Sequence, residues 1–398
     1  MKKEIAKAAV LLLVIAGAAW CHQRARKQQG LSWREYGGWM LIGREGKGHV
    51  PQYDFLRALT TLLVLLYHSA AMAQGKMNGE LSVSGGILSA VVILSYSCNM
   101  LFVALSGALV LPWREESAAR FYARRFSRVV IPLILYYLFY LRCTGGLVLS
   151  PASFLAAART IVRGPDNWTP HFWLIYTILG LYLSAPFLRY ALKHMPEQAL
   201  KGTGVLILAG ASVKTLCTFF YIEWGLNSFL FDWTGVFVLG YLAARPMERR
   251  QEKLLQAAGA VSAAVLVLLF WFWPQFGPQL AFESPFMMLF VWAVMRSVGR
   301  RRRKNGIAVR LVSRYSYSIL LIHWYIMFIW GEGTLGLTPF LWGEEQVLAG
   351  ILWQVSVSLG LSLSFAVVFD QTAVILARSL WESLLAFCRR KRGIDVIL

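Results

Sequence analysis

The sequence has few charged residues, few acidic residues and few cysteines. Of its 398 residues, 15% are charged and 57% are hydrophobic, whereas a soluble domain has about 25% charged and about 45–50% apolar residues. This balance excludes an ordinary soluble protein and predicts an integral membrane protein. Acidic residues number 20 against 40 Lys and Arg, so the formal net charge is +20.

The cysteines and the missing motifs exclude several kinds of site. The five cysteines are scattered and show no paired metal-ligand spacing. Cys143 and Cys217 both fall near the expected outer surface, so position alone leaves a disulfide between them open. The sequence has no Gly-rich phosphate loop followed by Lys, no His-Glu-x-x-His and no nucleophile elbow. We therefore expect no metal site and no tightly bound cofactor.

Long apolar segments predict the fold. A spanning helix needs roughly 20 mostly apolar residues, and strand-like alternation is missing. The sequence predicts an all-α, polytopic transmembrane helix bundle, with a ten-helix core plus one extra N-terminal helix. We expect the N-terminal helix and a basic linker in 1–49, the transmembrane domain in 50–372 and a basic tail in 373–398. The core spans are expected at 54–75, 85–111, 127–149, 171–191, 203–221, 228–244, 255–273, 281–298, 311–331 and 346–370.

The loop charges predict an orientation. One set of loops and tails holds 31 Lys and Arg, including Arg300–Arg303, and the opposite set holds four. Cytoplasmic loops collect basic residues, so both ends of the core are expected in the cytoplasm of a plasma-membrane protein. The Arg300–Arg303 run could also be interpreted as a nucleic-acid patch, but an orientation anchor beside anionic lipids fits better. We expect a bilayer as partner and no nucleic acid.

The N-terminal apolar run at about 5–21 leaves two arrangements open. Lys2, Lys3 and Lys7 precede it, as in a signal sequence. A signal-anchor would place 22–53 outside, against the charge pattern of the core. We expect an uncleaved helix with its N-terminus outside, although a helix lying along the interface remains an alternative.

Two ionisable residues on the first core span are the strongest pointer to chemistry. Arg57 and His68 are eleven positions apart, which is within about 20° of three full helical turns, so they share one face. They stand roughly 16 Å apart along the axis. Ionisable groups within a membrane helix are costly and usually face a cavity or a partner.

Each residue of this span also has an ordinary structural interpretation. Arg57 lies close enough to the helix end to snorkel to the headgroups, and Asp54 could be a first-turn carboxylate instead of a partner for Arg57. His68 could be hydrogen-bonded to a neighbouring helix. The functional interpretation is an anion contact at Arg57 and a general base at His68, because imidazole titrates near neutral pH.

Further polar residues mark other spans. Arg125 and Arg128 are three positions apart just before the 127–149 span, a spacing suited to a phosphate clamp and equally to ordinary cytoplasmic charge. Small and polar residues within spans more often indicate close helix packing than chemistry. Those in question are Asn99, Ser106, Gly107, His171, Trp173 and His323.

Taken together, these motifs resemble the acyltransferase-3 family of ten-helix membrane acyltransferases over about residues 50–395. Asp54, Arg57 and His68 are similar to the family's Asp-x-x-Arg and Arg-x10-His pattern, and Arg125-Phe126-Ser127-Arg128 to its Arg-x-x-Arg. Three further stretches are similar to family motifs: Phe102–Gly107, His171–Trp173 with Tyr182 and Pro186, and Ser318–His323, where Leu320 or Leu321 stands at a position often held by Tyr.

The resemblance implies a reaction. Such enzymes move an acyl group, by default acetyl, from cytoplasmic acyl-CoA to a hydroxyl of an extracytoplasmic glycan or lipid-linked sugar. We expect acyl-CoA as co-substrate. The expected catalytic residues are His68, Arg57 and His323, the CoA-binding residues are Arg125, Arg128 and Arg57, and the substrate-binding residues are Asp54, Asn99, Ser106, His171 and Trp173.

Two other functions remain compatible with the residues. A transporter of a glycan precursor or a small anionic solute also uses intramembrane charges and interrupted helices. It would move substrate without consuming CoA. A scaffold of an envelope-assembly complex would tolerate loss of His68 and Arg57.

Overall fold

The structure is a computed structural model that describes residues 2–43, 49–77, 83–148, 150–223, 232–282, 284–298 and 304–392. These residues form helices and no strand, which confirms the predicted all-α helix bundle. In chain order the helices are α1 (Lys2–Gln28), α2 (Trp33–Ile42), α3 (Pro51–Lys76), α4 (Val83–Ser95), α5 (Cys98–Val110), α6 (Ala118–Arg125), α7 (Ile131–Cys143), α8 (Pro151–Arg163), α9 (Trp173–His194), α10 (Glu197–Phe219), α11 (Trp233–Ala244), α12 (Arg249–Phe272), α13 (Gly277–Phe282), α14 (Pro285–Ser297), α15 (Ile307–Trp324), α16 (Val347–Phe369) and α17 (Ile375–Arg392).

Eight helical segments are long and apolar enough to cross a membrane, so the chain is a multi-pass membrane protein. Two of the ten predicted core spans, 228–244 and 281–298, correspond to the shorter apolar helices α11 and α14. Helix α1 is not among the eight. The eight segments are Pro51–Lys76, Gly85–Val110, Ala118–Cys143, Pro170–His194, Glu197–Phe219, Arg249–Phe272, Ile307–Leu335 and Glu344–Cys388.

Three of these segments contain wide π-helical turns. They are Phe126–Val130 between α6 and α7, Tyr325–Leu335 after α15, and Asp370–Val374 between α16 and α17. A π turn changes the angular spacing of side chains along a helix. Simple helical spacing therefore assigns faces wrongly beyond each of these turns.

The third span begins earlier than predicted. The segment runs from Ala118 to Cys143 instead of 127–149, so the 120–128 stretch lies within a helix and not on the edge before it. The Ser117 hydroxyl accepts a hydrogen bond from the Arg120 amide at 3.2 Å, which caps the helix there. Arg125 and Arg128 are consequently held by a continuous helical backbone.

One end of the bundle, here called the basic end, is where α3 and α15 both begin. The Ser313 hydroxyl donates to Asp54 at 2.8 Å, which fixes these two starts side by side. Of the basic residues counted in the loop-charge argument, Arg44, Lys47 and Arg300–Arg303 lie outside the described residues. The role expected for the Arg300–Arg303 run stays a prediction.

Helices α5 and α11 cross with their backbones in contact. A Cβ at Gly107 would overlap the Phe237 carbonyl oxygen, and one at Gly240 would overlap the carbonyl oxygen of Ala104. Glycine is needed at both positions because any side chain would separate the helices. Gly107 therefore serves close packing, which is the ordinary interpretation given to it above.

Helices α1 and α17 meet at the basic end. His22 lies on α1. Its Nε2 atom is 2.8 Å from the Gln371 carbonyl oxygen, and its Nδ1 atom is 2.8 Å from the Tyr36 hydroxyl. Gly17 packs against the Leu376 side chain. The second half of α1 thus lies beside α17, while its apolar residues Leu12 and Leu13 are 66% and 71% exposed within the protein and suit contact with lipid.

The cysteines do not form the disulfide left open by position. Cys143 and Cys217 are both free, and so are the other three cysteines. The fold therefore depends on helix packing and not on crosslinks.

Candidate active site

A polar cluster occupies the first two turns of α3 and α15. Arg57 Nη1 lies 3.2 Å from Asp54 Oδ1 and 3.2 Å from the Ser313 hydroxyl, which itself donates to Asp54. His49 Nε2 lies 3.2 Å from the other Asp54 oxygen. Arg57 is therefore held against the neighbouring helix α15. Its side chain does not snorkel to the lipid headgroups.

This cluster opens into a cavity of about 510 Å³, a volume within the range of small-molecule sites. Ser106 lines the cavity, and among the described lining residues Asp54 carries a carboxylate. Guanidinium groups that surround one cavity favour a phosphate or another anion. The five arginines in the lining are Arg57, Arg125, Arg128, Arg310 and Arg314.

The predicted arginine pair is brought to this cavity. The Arg125 guanidinium lies over the Tyr182 ring at 4.9 Å, and Arg128 lines the same wall. Glu116 pairs instead with Arg124 and, at 3.5 Å, with Arg189. Among the described residues no carboxylate lies within ion-pair distance of Arg125 or Arg128, so their charge is available to a ligand.

Sequence reasoning missed Arg310 and Arg314 as site residues and counted them only as loop charges. Both lie on α15 four residues apart, a spacing that places them on one face. Helix α2 and its end contact them: Arg310 Nη2 donates to the Gly43 carbonyl oxygen at 2.9 Å, and Arg314 lies 5.9 Å from the Trp39 ring centre. The signal in the sequence that could have indicated their role is the four-residue spacing of Arg310 and Arg314, with Ser313 between them.

The cavity ends inside the bundle at an apolar layer. Phe102, Ile175 and Leu320 are the lining residues farthest from the basic end on α5, α9 and α15. All three are buried. The lining includes none of His68, His171 or His323, so this layer separates the arginines from the histidines.

Three histidines meet beyond that layer. The ring centres of His68 and His323 are 5.2 Å apart, and those of His323 and His171 are 4.8 Å apart. Trp324 lies against two of them, stacked on His171 at 5.8 Å and edge-on to His68 at 5.3 Å. Residues from α3, α15 and the turn before α9 therefore form one histidine cluster.

Backbone carbonyls fix the hydrogen positions of two of these rings. His323 Nδ1 lies 2.8 Å from the Leu320 oxygen, and His171 Nε2 lies 3.1 Å from the Leu321 oxygen. A carbonyl only accepts, so these nitrogens carry hydrogen. In the neutral rings the remaining nitrogens, His323 Nε2 and His171 Nδ1, are acceptors, and both are buried without a hydrogen-bond partner in the described structure.

His68 differs from the other two histidines. Its side chain is half-buried, and within the described part of the chain its imidazole makes no hydrogen bond. The ordinary structural interpretation of His68 predicted a hydrogen bond to a neighbouring helix, and the described structure does not contain that bond. An imidazole with both nitrogens available can exchange a proton with a bound molecule.

The remaining expected substrate residues fall in different places. Trp173 packs on Trp233 and on Phe282, each at 5.4 Å. Aromatic contacts continue from Phe282 through Tyr96 and Tyr67 to His68. Asn99 is half-buried beside this aromatic row and lies outside the cavity lining, so the structure does not bring it to the arginines.

The histidine cluster does not have the arrangement of a metal site. Within the described residues no three His, Cys, Asp or Glu side chains come together as metal ligands. The His171 and His323 rings are packed edge to face, the His68 and His323 rings are tilted by 30°, and two of the ring nitrogens are bound to carbonyl oxygens. The ring nitrogens of His323 and His171 that are not bound to carbonyl oxygens remain without a partner in the described structure.

The fold and site define a multi-pass membrane protein with a basic cavity at one end and a histidine cluster inside. The model of a family described as an acyltransferase domain, acyltransferase 3, matches residues 50–371. The chain belongs to this family and is a membrane acyltransferase. No curated protein and no solved structure gives a significant match to the chain.

Proposed function

We propose that the protein transfers an acyl group, acetyl by default, from cytoplasmic acyl-CoA to a hydroxyl of an extracytoplasmic glycan or lipid-linked sugar. One observation carries the proposal: a single helix, α3, presents Arg57 to an arginine-lined cavity and His68 to a cluster of histidines deeper in the bundle. The excess of Lys and Arg in the loops at the basic end favours placing that end in the cytoplasm of a plasma-membrane protein.

The arginine cavity is the proposed site for the phosphates of CoA. Arg57 pairs with Asp54, whereas no described carboxylate lies within ion-pair distance of Arg125 or Arg128, on which Glu116 acts only from farther away. The pantetheine arm would then point toward His68, roughly 16 Å along α3 from Arg57. Movement of Phe102 or Leu320 would connect the two compartments.

The proposed chemistry uses His68 as general base. His68 takes the proton of the acceptor hydroxyl as its oxygen attacks the thioester carbonyl. The new C–O bond forms, the C–S bond breaks, and the proton passes from His68 to the departing thiolate. His323, whose neutral Nε2 accepts hydrogen bonds, can receive an N–H from His68 and so keep the other His68 nitrogen basic.

The aromatic row suits the acceptor. Trp173, Trp233 and Phe282 contact one another and connect to His68 through Tyr96 and Tyr67, and none of them lines the arginine cavity. Aromatic faces with polar edges offer both apolar contact and hydrogen bonds. We assign this row, and Asn99 beside it, to binding of the acceptor sugar.

Purified protein in liposomes with labelled acetyl-CoA tests the proposal. Label should leave CoA and appear on a hydroxyl-bearing acceptor from the cell surface. His68→Ala should abolish transfer while acyl-CoA binding survives, whereas the double substitution Arg125→Ala with Arg128→Ala should weaken binding. Failure of the wild-type protein to bind or consume acyl-CoA would overturn the proposal, and substrate movement without CoA consumption would favour a transporter.

A further inference from the structure

The wide turn Phe126–Val130, which carries Arg128, is held by side chains of other helices. Arg378 of α17 donates through Nε to the Ser127 carbonyl oxygen at 3.0 Å and through Nη2 to the Arg128 oxygen at 3.3 Å. The Tyr317 hydroxyl donates to the Val129 oxygen at 2.9 Å. Three consecutive carbonyl groups of this turn therefore accept hydrogen bonds from outside the turn.

A ring contact joins α17 to the same turn. Trp381 packs on Phe126 with 4.5 Å between ring centres. Arg378 and Trp381 are three residues apart, so they project from one face of α17. This face therefore contacts both the start and the middle of the turn between Arg125 and Val130.

Helix α17 is itself braced by the N-terminal part of the chain. Gly17 packs against Leu376, and His22 bonds the Gln371 carbonyl oxygen. Helix α17 and residues 1–49 both lie outside residues 50–371, which match the family model. Apart from the bond from Tyr317, the support of the arginine turn thus comes from α17, which the family match does not include.

The geometry requires this support because a π turn is a weak local structure. Its hydrogen bonds span five residues, and such turns persist where tertiary contacts stabilise them. Arg125 and Arg128 bracket the junction between α6 and the turn. A change in the turn's backbone would move one guanidinium relative to the other and spoil their shared contact with an anion.

We propose that Arg378, assisted by Trp381, is a positioning residue that sets the spacing of Arg125 and Arg128 for the acyl donor. This inference rests on the proposed function, in which those two arginines bind acyl-CoA. Arg378 acts through the backbone of Ser127 and Arg128. Its loss should weaken donor binding and leave the step at His68 unchanged once donor is bound.

The test compares variants of the full chain in liposomes with acetyl-CoA as the probe. Arg378→Gln removes the guanidinium group that bonds the two carbonyl oxygens. Arg378→Lys keeps the positive charge but cannot bond both carbonyl oxygens in the same way. Both should raise the KM for acetyl-CoA about tenfold, while kcat stays within about twofold. Arg250→Gln removes one exposed charge from α12 and should change neither value.

A second variant keeps the test decisive if Arg378→Gln does not fold. Trp381→Leu keeps the Arg378 charge and breaks only the contact with Phe126, so it should raise the KM about threefold. Thermal unfolding in detergent reports whether each variant folds. If Arg378→Gln does not fold, Trp381→Leu decides, and an unchanged KM in that folded variant overturns the inference.

The outcomes also separate this inference from the proposed function. If Arg125→Ala with Arg128→Ala binds acetyl-CoA like the wild-type protein, the function assigned to the pair is wrong. If that double variant loses binding while Arg378→Gln and Arg378→Lys keep the wild-type KM, the positioning role alone is wrong. A fall in kcat with an unchanged KM would likewise contradict the positioning role.

Discussion

The carbonyl oxygen of Leu320 lies 2.8 Å from Nδ1 of His323, and the Leu320 side chain lines the inner end of the arginine cavity. One residue thus borders both parts of the proposed site. Its backbone fixes the tautomer of a histidine in the cluster, and its side chain contributes to the layer between the cavity and that cluster. Under the proposed function, a thioester that reaches His68 from the cavity has to pass this layer, which Leu320 forms with Phe102 and Ile175.

Enlarging this residue should block transfer without blocking donor binding. In Leu320→Phe the larger ring fills the passage, so acyl transfer should fall at least about tenfold. The Kd for acetyl-CoA should stay within about twofold, because the arginines are unchanged. Leu183→Phe, which is 65% exposed on α9, is the matched control. Equal losses of binding and transfer would contradict the assignment of the passage.

The histidine cluster should show unequal roles on substitution. His68→Gln removes the proposed base, so kcat should fall about 10²- to 10⁴-fold. His323→Gln replaces the fixed ring acceptor that orients His68 with the acceptor of a flexible amide, so we expect a loss of about tenfold to a hundredfold. Single-turnover transfer at saturating acetyl-CoA measures both. A larger loss for His323→Gln than for His68→Gln would exchange their proposed roles.

The arginines contacted by α2 should contribute to donor affinity. Arg310→Gln and Arg314→Gln should each weaken acetyl-CoA binding about fivefold to tenfold at low salt. The loss should shrink as salt rises, because exposed charges are screened. Trp39→Leu should reproduce part of the Arg314 effect, since Trp39 packs on that guanidinium. Unchanged titrations for all three variants would remove α2 from the donor site.

The crossing of α5 and α11 gives a prediction about stability alone. Gly107→Ala places a methyl group onto the Phe237 carbonyl, so the free energy of unfolding should fall by about 1–3 kcal/mol. Gly180→Ala on α9 meets nothing within 4 Å and should leave stability unchanged or slightly raised. Thermal unfolding in detergent measures both. Equal stability of the two variants would show that the crossing can relax.

The sequence predicted the features that depend on local chemistry. Apolar length located the spans. The three-residue spacings singled out Asp54–Arg57 and Arg125–Arg128, and both pairs line one cavity in the structure. Gly107 was correctly weighed toward packing. The apolar lengths and the three-residue spacings are local features of the chain, and the prediction for Gly107 followed from the small size of glycine.

Features that depend on tertiary structure escaped prediction. No spacing indicates that His68, His171 and His323 meet, because they lie on three separate segments. The start of the third span was misplaced, since the Ser117 cap begins that helix before the apolar run. Arg310 and Arg314 looked like loop charges until α2, which has no long apolar run, packed against them.

The contact between Arg378 and the arginine turn bears on the biosynthesis of the protein. Arg378 is 250 residues beyond Arg128, and membrane proteins, like soluble ones, emerge from the ribosome N-terminus first. The turn emerges and inserts long before its support is synthesised. Under the proposed positioning role, the arginine pair acquires its final spacing only after α17 has been synthesised. A chain truncated before α17 should then insert its earlier helices yet hold acyl-CoA poorly.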